Sequence, residues 1–150
     1  LNKLLVMSER LMSLLIARAD YLKTAIDRLA PEMISEQSRP FYKELIFWYT
    51  KNNNFLKDEF YQYLKNEKPI LVGFFDTLNL LAENEWENLT PMELNKEFKL
   101  TFGFIKKENI SERLRQLEKE LRQAEERGER DRADDLITEF SHLSQELAQL

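Results

Sequence analysis

Apolar residues recur along this chain at helical spacing, and no stretch alternates as a half-buried strand would. Leu4, Met7, Leu11, Leu14 and Leu15 fall on one face of a first helix, with Lys3, Glu9 and Arg10 off it. A short second helix carries Tyr21, Leu22, Ile26 and Leu29, with Asp20 as its predicted cap and Pro31 beyond its end. Ser38 and Pro40 open a third helix. Its Phe41, Leu45, Ile46, Trp48 and Tyr49 cover so much of the circumference that a central position is expected. Asn52-Asn53-Asn54 reads as a turn, because short amides bond their own backbone and tolerate left-handed geometry. A fourth helix over about 55–66 turns Leu56, Phe60, Tyr63 and Leu64 inward. A fifth enters through Pro69 with a stripe of Leu71, Phe74, Phe75, Leu78, Leu81 and Ala82. Residues 83–88 read as an acidic loop. Thr90-Pro91-Met92-Glu93 then combines a capping box with proline at the first helical position. The helix it starts meets one interior glycine, Gly103, and bends there, bends near Asn109 or continues as one rod.

From Ile110 onward the pattern narrows. Ile110, Leu114, Leu117, Leu121 and Ala124 step by four and three, and so do Leu136, Phe140, Leu143, Leu147 and Leu150. That spacing gives each helix one apolar seam. The break between them, Arg127-Gly128-Glu129-Arg130-Asp131, is long enough only to reverse the chain, so the helices are predicted antiparallel. Gly128 suits a left-handed C-cap and Asp131 an N-cap.

Composition divides the chain in the same region. Sixteen of the 17 aromatic residues lie in residues 1–105, and Phe140 is the exception. Aromatics bury large areas, so the first part can build a core. The last part has the Leu, Glu, Arg and Gln content of an exposed coiled coil. The expectation is an all-α chain: a bundle of five or six helices over residues 1–108, then a protruding antiparallel helical hairpin over 109–150. The absence of an initial Met suggests a piece of a longer protein.

Charge and chemistry act mainly by exclusion. With 22 basic and 27 acidic residues the net charge is −5, without the basic excess that phosphate binding uses, so no direct nucleic-acid contact is expected. The alternating charges of the hairpin read as helix surface pairs at i, i+4 spacing. There is no cysteine, which fits a reducing, cytoplasmic setting. No apolar run approaches the roughly 18–20 residues of a membrane helix. One histidine, His142, cannot form a zinc set, and the three glycines are too scattered to cradle a phosphate. Glu83, Glu85 and Glu87 are the only dense carboxylates and read as an open acidic loop. No catalytic site and no cofactor are expected. The seam leucines can pack on each other, but two helices alone make a thin core. Phe140, Leu147 and Leu150 would complete it against a partner in a helix-in-groove mode.

Three stretches resemble the C-terminal helicase-binding domain of bacterial DnaG-type primases. They are Ser8 to Leu15 (SERLMSLL), Phe41 to Lys51 (FYKELIFWYTK) and the end from Glu118 to Leu147, in the order of bundle, connecting helix and terminal hairpin. The resemblance implies a domain without the zinc-binding and RNA-polymerising parts of a primase. It implies docking on the hexameric DnaB-type replicative helicase and stimulation of that helicase. By position it implies Arg130, Arg132, Leu136, Phe140, Leu143, Leu147 and Leu150 as contact residues. Residues 110–147 also resemble the UVR hairpin of nucleotide-excision-repair proteins, though Arg130 to Arg132 stand where that family has an aromatic and residues 1–105 are unaccounted for. Self-association through the hairpin, as a homodimeric coiled-coil module, is the third reading.

Overall fold

The computed structural model describes residues 2–150, and all of its regular elements are helical. They are α1 (Lys3–Ala17), α2 (Leu22–Arg28), α3 (Arg39–Asn52), α4 (Lys57–Glu67), α5 (Val72–Glu85), α6 (Pro91–Glu126) and α7 (Arg130–Ala148). Single 3-10 turns at Ala19–Tyr21, Pro31–Met33, Glu36–Ser38 and Pro69–Leu71 join the earlier ones. No strand occurs among the described residues. The chain divides into two compact units, one ending at Ile105 and the other Lys106–Leu150.

Local chemistry explains most helix boundaries. The Asn2 side chain accepts the Leu5 N–H at 3.1 Å and caps α1. Asn53 adopts φ +52° after α3 and donates its N–H to Tyr49 O at 2.9 Å. The capping box of α6 is fully formed. Glu93 N–H donates to Thr90 Oγ1 at 3.2 Å, and Thr90 N–H donates to Glu93 Oε1 at 3.1 Å. These bonds hold the Glu93 carboxyl below its usual range, the backbone donation from Thr90 most of all. α6 runs unbroken through Gly103 and Asn109.

Other boundaries differ from the sequence expectation. Asp20 lies inside a 3-10 turn and does not cap α2, because Arg18 engages its carboxylate at 3.1 Å. Ser38 precedes α3 without a capping bond and instead receives the Ser35 hydroxyl at 3.4 Å. Glu83 and Glu85 belong to α5, not to a loop. The helix continues because Trp86, 3% exposed, seats at its end and donates its N–H to Ala82 O at 2.9 Å. Asp131 sits within the first turn of α7, whose cap position is Glu129. In that turn its charge complements the helix N-terminus instead of closing it.

The core of the unit ending at Ile105 forms around α1 rather than α3. Leu11, Met12, Leu14 and Leu15 of α1 are completely buried, as are Ser8 and Ser13. α3 buries Phe41, Tyr42 and Leu45 but leaves Phe47 49% exposed. Apolar coverage of a helix therefore overstated its burial here. α1 presents small hydroxyls that let neighbours approach and pair. Trp86 Nε1 donates to Ser13 Oγ at 3.2 Å, and Ser13 Oγ donates to Leu78 O at 2.8 Å, joining α1 to α5. Ser8 Oγ accepts the Ser35 N–H at 3.0 Å. Such pairing is what makes buried polar groups tolerable. The Phe41 ring lies 5.7 Å from Phe60 and 5.3 Å from Phe74, centre to centre. Phe55, not the neighbouring Leu56, enters this core. The chain is extended at Leu56, which turns outward and is 50% exposed.

Candidate partner-binding surface

The unit Lys106–Leu150 consists of the second part of α6, a tight turn and α7. Gly128 reverses the chain at φ +69°. Glu129 N–H donates to Ala124 O at 2.9 Å and Gly128 N–H to Glu125 O at 3.2 Å, which is the paired bonding of a Schellman cap. The two segments lie antiparallel, as their ion pairs require. Arg113 grips Glu139 in a two-pronged bond, Nε to Oε2 at 2.8 Å and Nη2 to Oε1 at 3.0 Å. Further along, Lys106 Nζ lies 3.7 Å from Glu146 Oε1. Hydrogen bonding from Arg113 holds the Glu139 carboxyl below its usual range. Along the chain Arg115 pairs with Glu112 and Arg132 with Glu129, both at i, i+3 instead of the expected i, i+4, and Arg113 Nη1 also lies 3.7 Å from Glu120 Oε1.

The buried cluster of this unit is small: Leu117, Ala124, Ala133 and Leu136, with Leu121, Phe140 and Leu143 partly buried against it. Of the residues expected to meet a partner, Leu136 is spent inside this cluster, 8% exposed, and offers little surface. Phe140, Leu143 and Leu147 are partly buried, and Leu150 is 41% exposed. Arg130 and Arg132 are exposed, and Arg132 Nη1 lies 3.2 Å from Glu129 Oε2. The seam therefore opens progressively from Leu136 towards the end of α7. Two residues escaped the sequence reading. Ala133 continues the heptad one step before Leu136 but is too small to stand out in a hydropathy pattern. Ile137, 46% exposed, lies off the seam, and an isolated isoleucine on a polar face was the available signal.

The carboxylates that stood out in the sequence do not form an acid–base pair. Glu85 lies 3.8 Å from Arg10, while Glu83 Oε1 accepts Asn79 Nδ2 at 3.4 Å. Glu83 and Glu87 border a cleft of about 330 Å³ with Arg18, Lys57 and Trp86. His142 is exposed. Among the described residues no three His, Cys, Asp or Glu side chains are grouped to hold a metal ion, and no helix is long and apolar enough to cross a membrane. No protein-family model, no curated protein and no solved structure matches this chain.

Proposed function

We propose that this chain is a non-catalytic interaction domain of a DnaG-type primase. In this reading the chain joins a helical bundle to a C-terminal helical hairpin, and the hairpin docks on the hexameric DnaB-type replicative helicase. Docking stimulates unwinding and couples it to primer synthesis, in the cytoplasm and without a cofactor in these residues. The resemblance of Ser8–Leu15, Phe41–Lys51 and Glu118–Leu147 supplies the identity of the partner. The observation that carries the interaction itself is the opening seam. A cluster of four buried residues is a slight core for a 45-residue unit, while Phe140, Leu143, Leu147 and Leu150 keep apolar surface in reach of solvent. A groove on the partner that received these residues would bury them as a helix-in-groove contact does.

The test is a calorimetric titration of the whole chain onto the hexameric helicase, beside a Leu147→Glu, Leu150→Glu variant. Saturable binding that the variant loses, with helicity unchanged by far-UV circular dichroism, is the expected result. A wild-type chain that does not bind the hexamer refutes the proposal. Phe140→Ala should weaken binding by about 2 kcal/mol if the ring acts as an anchor. The same open seam would serve self-association, and sedimentation at high micromolar concentration separates the two: a monomer excludes the homodimer.

A further inference from the structure

A groove of about 420 Å³ runs between α3 and α4, entirely within the unit ending at Ile105. Its chemistry is one-sided. Trp48 and Asn52 come from α3, the Asn52 amide donating to Trp48 O at 2.9 Å, and Glu59, Gln62, Tyr63, Asn66 and Glu67 come from α4; no lysine or arginine lines it. The indole of Trp48 and the ring of Tyr63 lie 4.8 Å apart, centre to centre, and form an aromatic wall. Tyr63 is held in place from behind, its hydroxyl donating to Glu44 Oε1 at 2.7 Å. Glu59, Gln62, Asn66 and Glu67 have no hydrogen-bond or ion-pair partner among the described residues. A second feature lies in the same wall. Trp48 Nε1 is buried and is the one buried side-chain nitrogen or oxygen without a hydrogen-bond partner among the described residues.

Two carboxylates and two side-chain amides offer acceptors for a cation with several donors. An aromatic wall favours a cation that is planar and weakly hydrated. The unpaired indole N–H of Trp48 is a buried donor that lacks an acceptor. We propose that the groove between α3 and α4 is a docking site for an arginine side chain in a basic segment of another protein. The guanidinium would stack on the Trp48–Tyr63 wall in the negative field of Glu59 and Glu67, which stand at either end of the groove. Lysine meets only part of this set, since an ammonium is a strongly hydrated point charge and lacks the planar face that stacks on an aromatic wall. The site is separate from the open seam of α7 and does not depend on the helicase reading.

The experiment is a two-dimensional ¹H–¹⁵N NMR titration of the whole chain with a synthetic octapeptide of alternating glycine and arginine, and with its glycine–lysine counterpart. The Trp48 indole N–H gives its own resonance, with Trp86 as an internal control. Saturating shifts confined to the Trp48 indole and to backbone amides of 59–67 are expected with the arginine peptide. The Glu59→Gln, Glu67→Gln variant should raise its Kd about fivefold, the size of two exposed charge pairs together. Glu83→Gln, Glu87→Gln, which removes the same charge elsewhere, should leave Kd unchanged. Shifts spread over all acidic surfaces, equal binding of the lysine peptide, or equal effects of the two variants would overturn the proposal. So would concentration-dependent shifts of the groove without peptide, which would make a second copy of this chain the occupant.

Discussion

Tyr42→Phe isolates one buried hydroxyl with almost no change of shape. Tyr42 is completely buried, and its hydroxyl is shared between Leu29 O at 2.8 Å and Ala25 O at 3.1 Å. These carbonyls belong to the last turn of α2 and its cap. Ala25 O keeps a partner without Tyr42, because it also accepts the Leu29 N–H at 2.8 Å. Leu29 O has no second donor among the described residues, and Leu29 is 1% exposed. The substitution thus leaves one buried carbonyl unpaired, and the expected loss is about 2 kcal/mol, within the range for an orphaned buried acceptor. Both tryptophans, Trp48 and Trp86, precede Ile105, so urea unfolding followed by tryptophan fluorescence reports the unit concerned. In a thermal melt the same loss corresponds to about 10 °C. Tyr61→Phe is the control. Tyr61 packs at 5.0 Å from Phe75 but its hydroxyl has no hydrogen-bond partner among the described residues, and its removal should change stability by less than about 0.5 kcal/mol. A Tyr42→Phe loss no larger than the control's would refute the argument. The same burial gives a pH signature. Burial pushes the Tyr42 hydroxyl well above its ordinary value, and burial with the Glu44 bond pushes Tyr63 up to about 12. Both groups keep their protons longer folded than unfolded. Stability is therefore unaffected by them below about pH 10 and falls as pH rises beyond it. Tyr42→Phe should flatten that alkaline fall.

Two glycines of α6 and its turn should respond in opposite directions. A Cβ at Gly103 meets nothing within 4 Å, so Gly103→Ala should stabilise by about 0.5–1 kcal/mol. Gly128 is held at φ +69°, so Gly128→Ala should destabilise by about 1 kcal/mol; thermal melts of both variants check the signs. Glu139→Gln should cost under about 1 kcal/mol at pH 7, because the Arg113 pair is more than a third exposed. Glu139 has a depressed folded value, so its contribution is present above about pH 4.3 and disappears as pH falls through that lower value. The difference between wild type and variant should shrink as pH falls below about 4.3 and should shrink in 1 M salt. A difference that stays the same size as pH falls and as salt rises would refute the ion-pair account.

Local signals carried much of this protein. The all-helical class, the Thr90–Glu93 box, the left-handed Asn53 and the Gly128 reversal were legible from spacing and cap chemistry, because these depend on a few neighbouring residues. The caps that failed, Asp20, Ser38 and Asp131, were cases where a side chain had more than one use. A charge or hydroxyl nearby, or a place inside the first turn, won over the cap. The apolar stripes gave the inward residues of most helices but not their depth. α3, rich in aromatics, keeps Phe47 at the surface, while α1 is buried through Leu11 to Ile16. Depth depends on what packs against a face, and the Ser13–Leu78 and Ser8–Ser35 contacts, 65 and 27 residues apart, are invisible to any window. The same holds for the surfaces. The heptads marked the α7 seam, yet only the packing of Leu117 and Ala124 on Ala133 and Leu136 decided which of its residues stay open. No sequence pattern announced the groove between α3 and α4, because its wall and its unpaired carboxylates come from two helices and meet only in the folded chain.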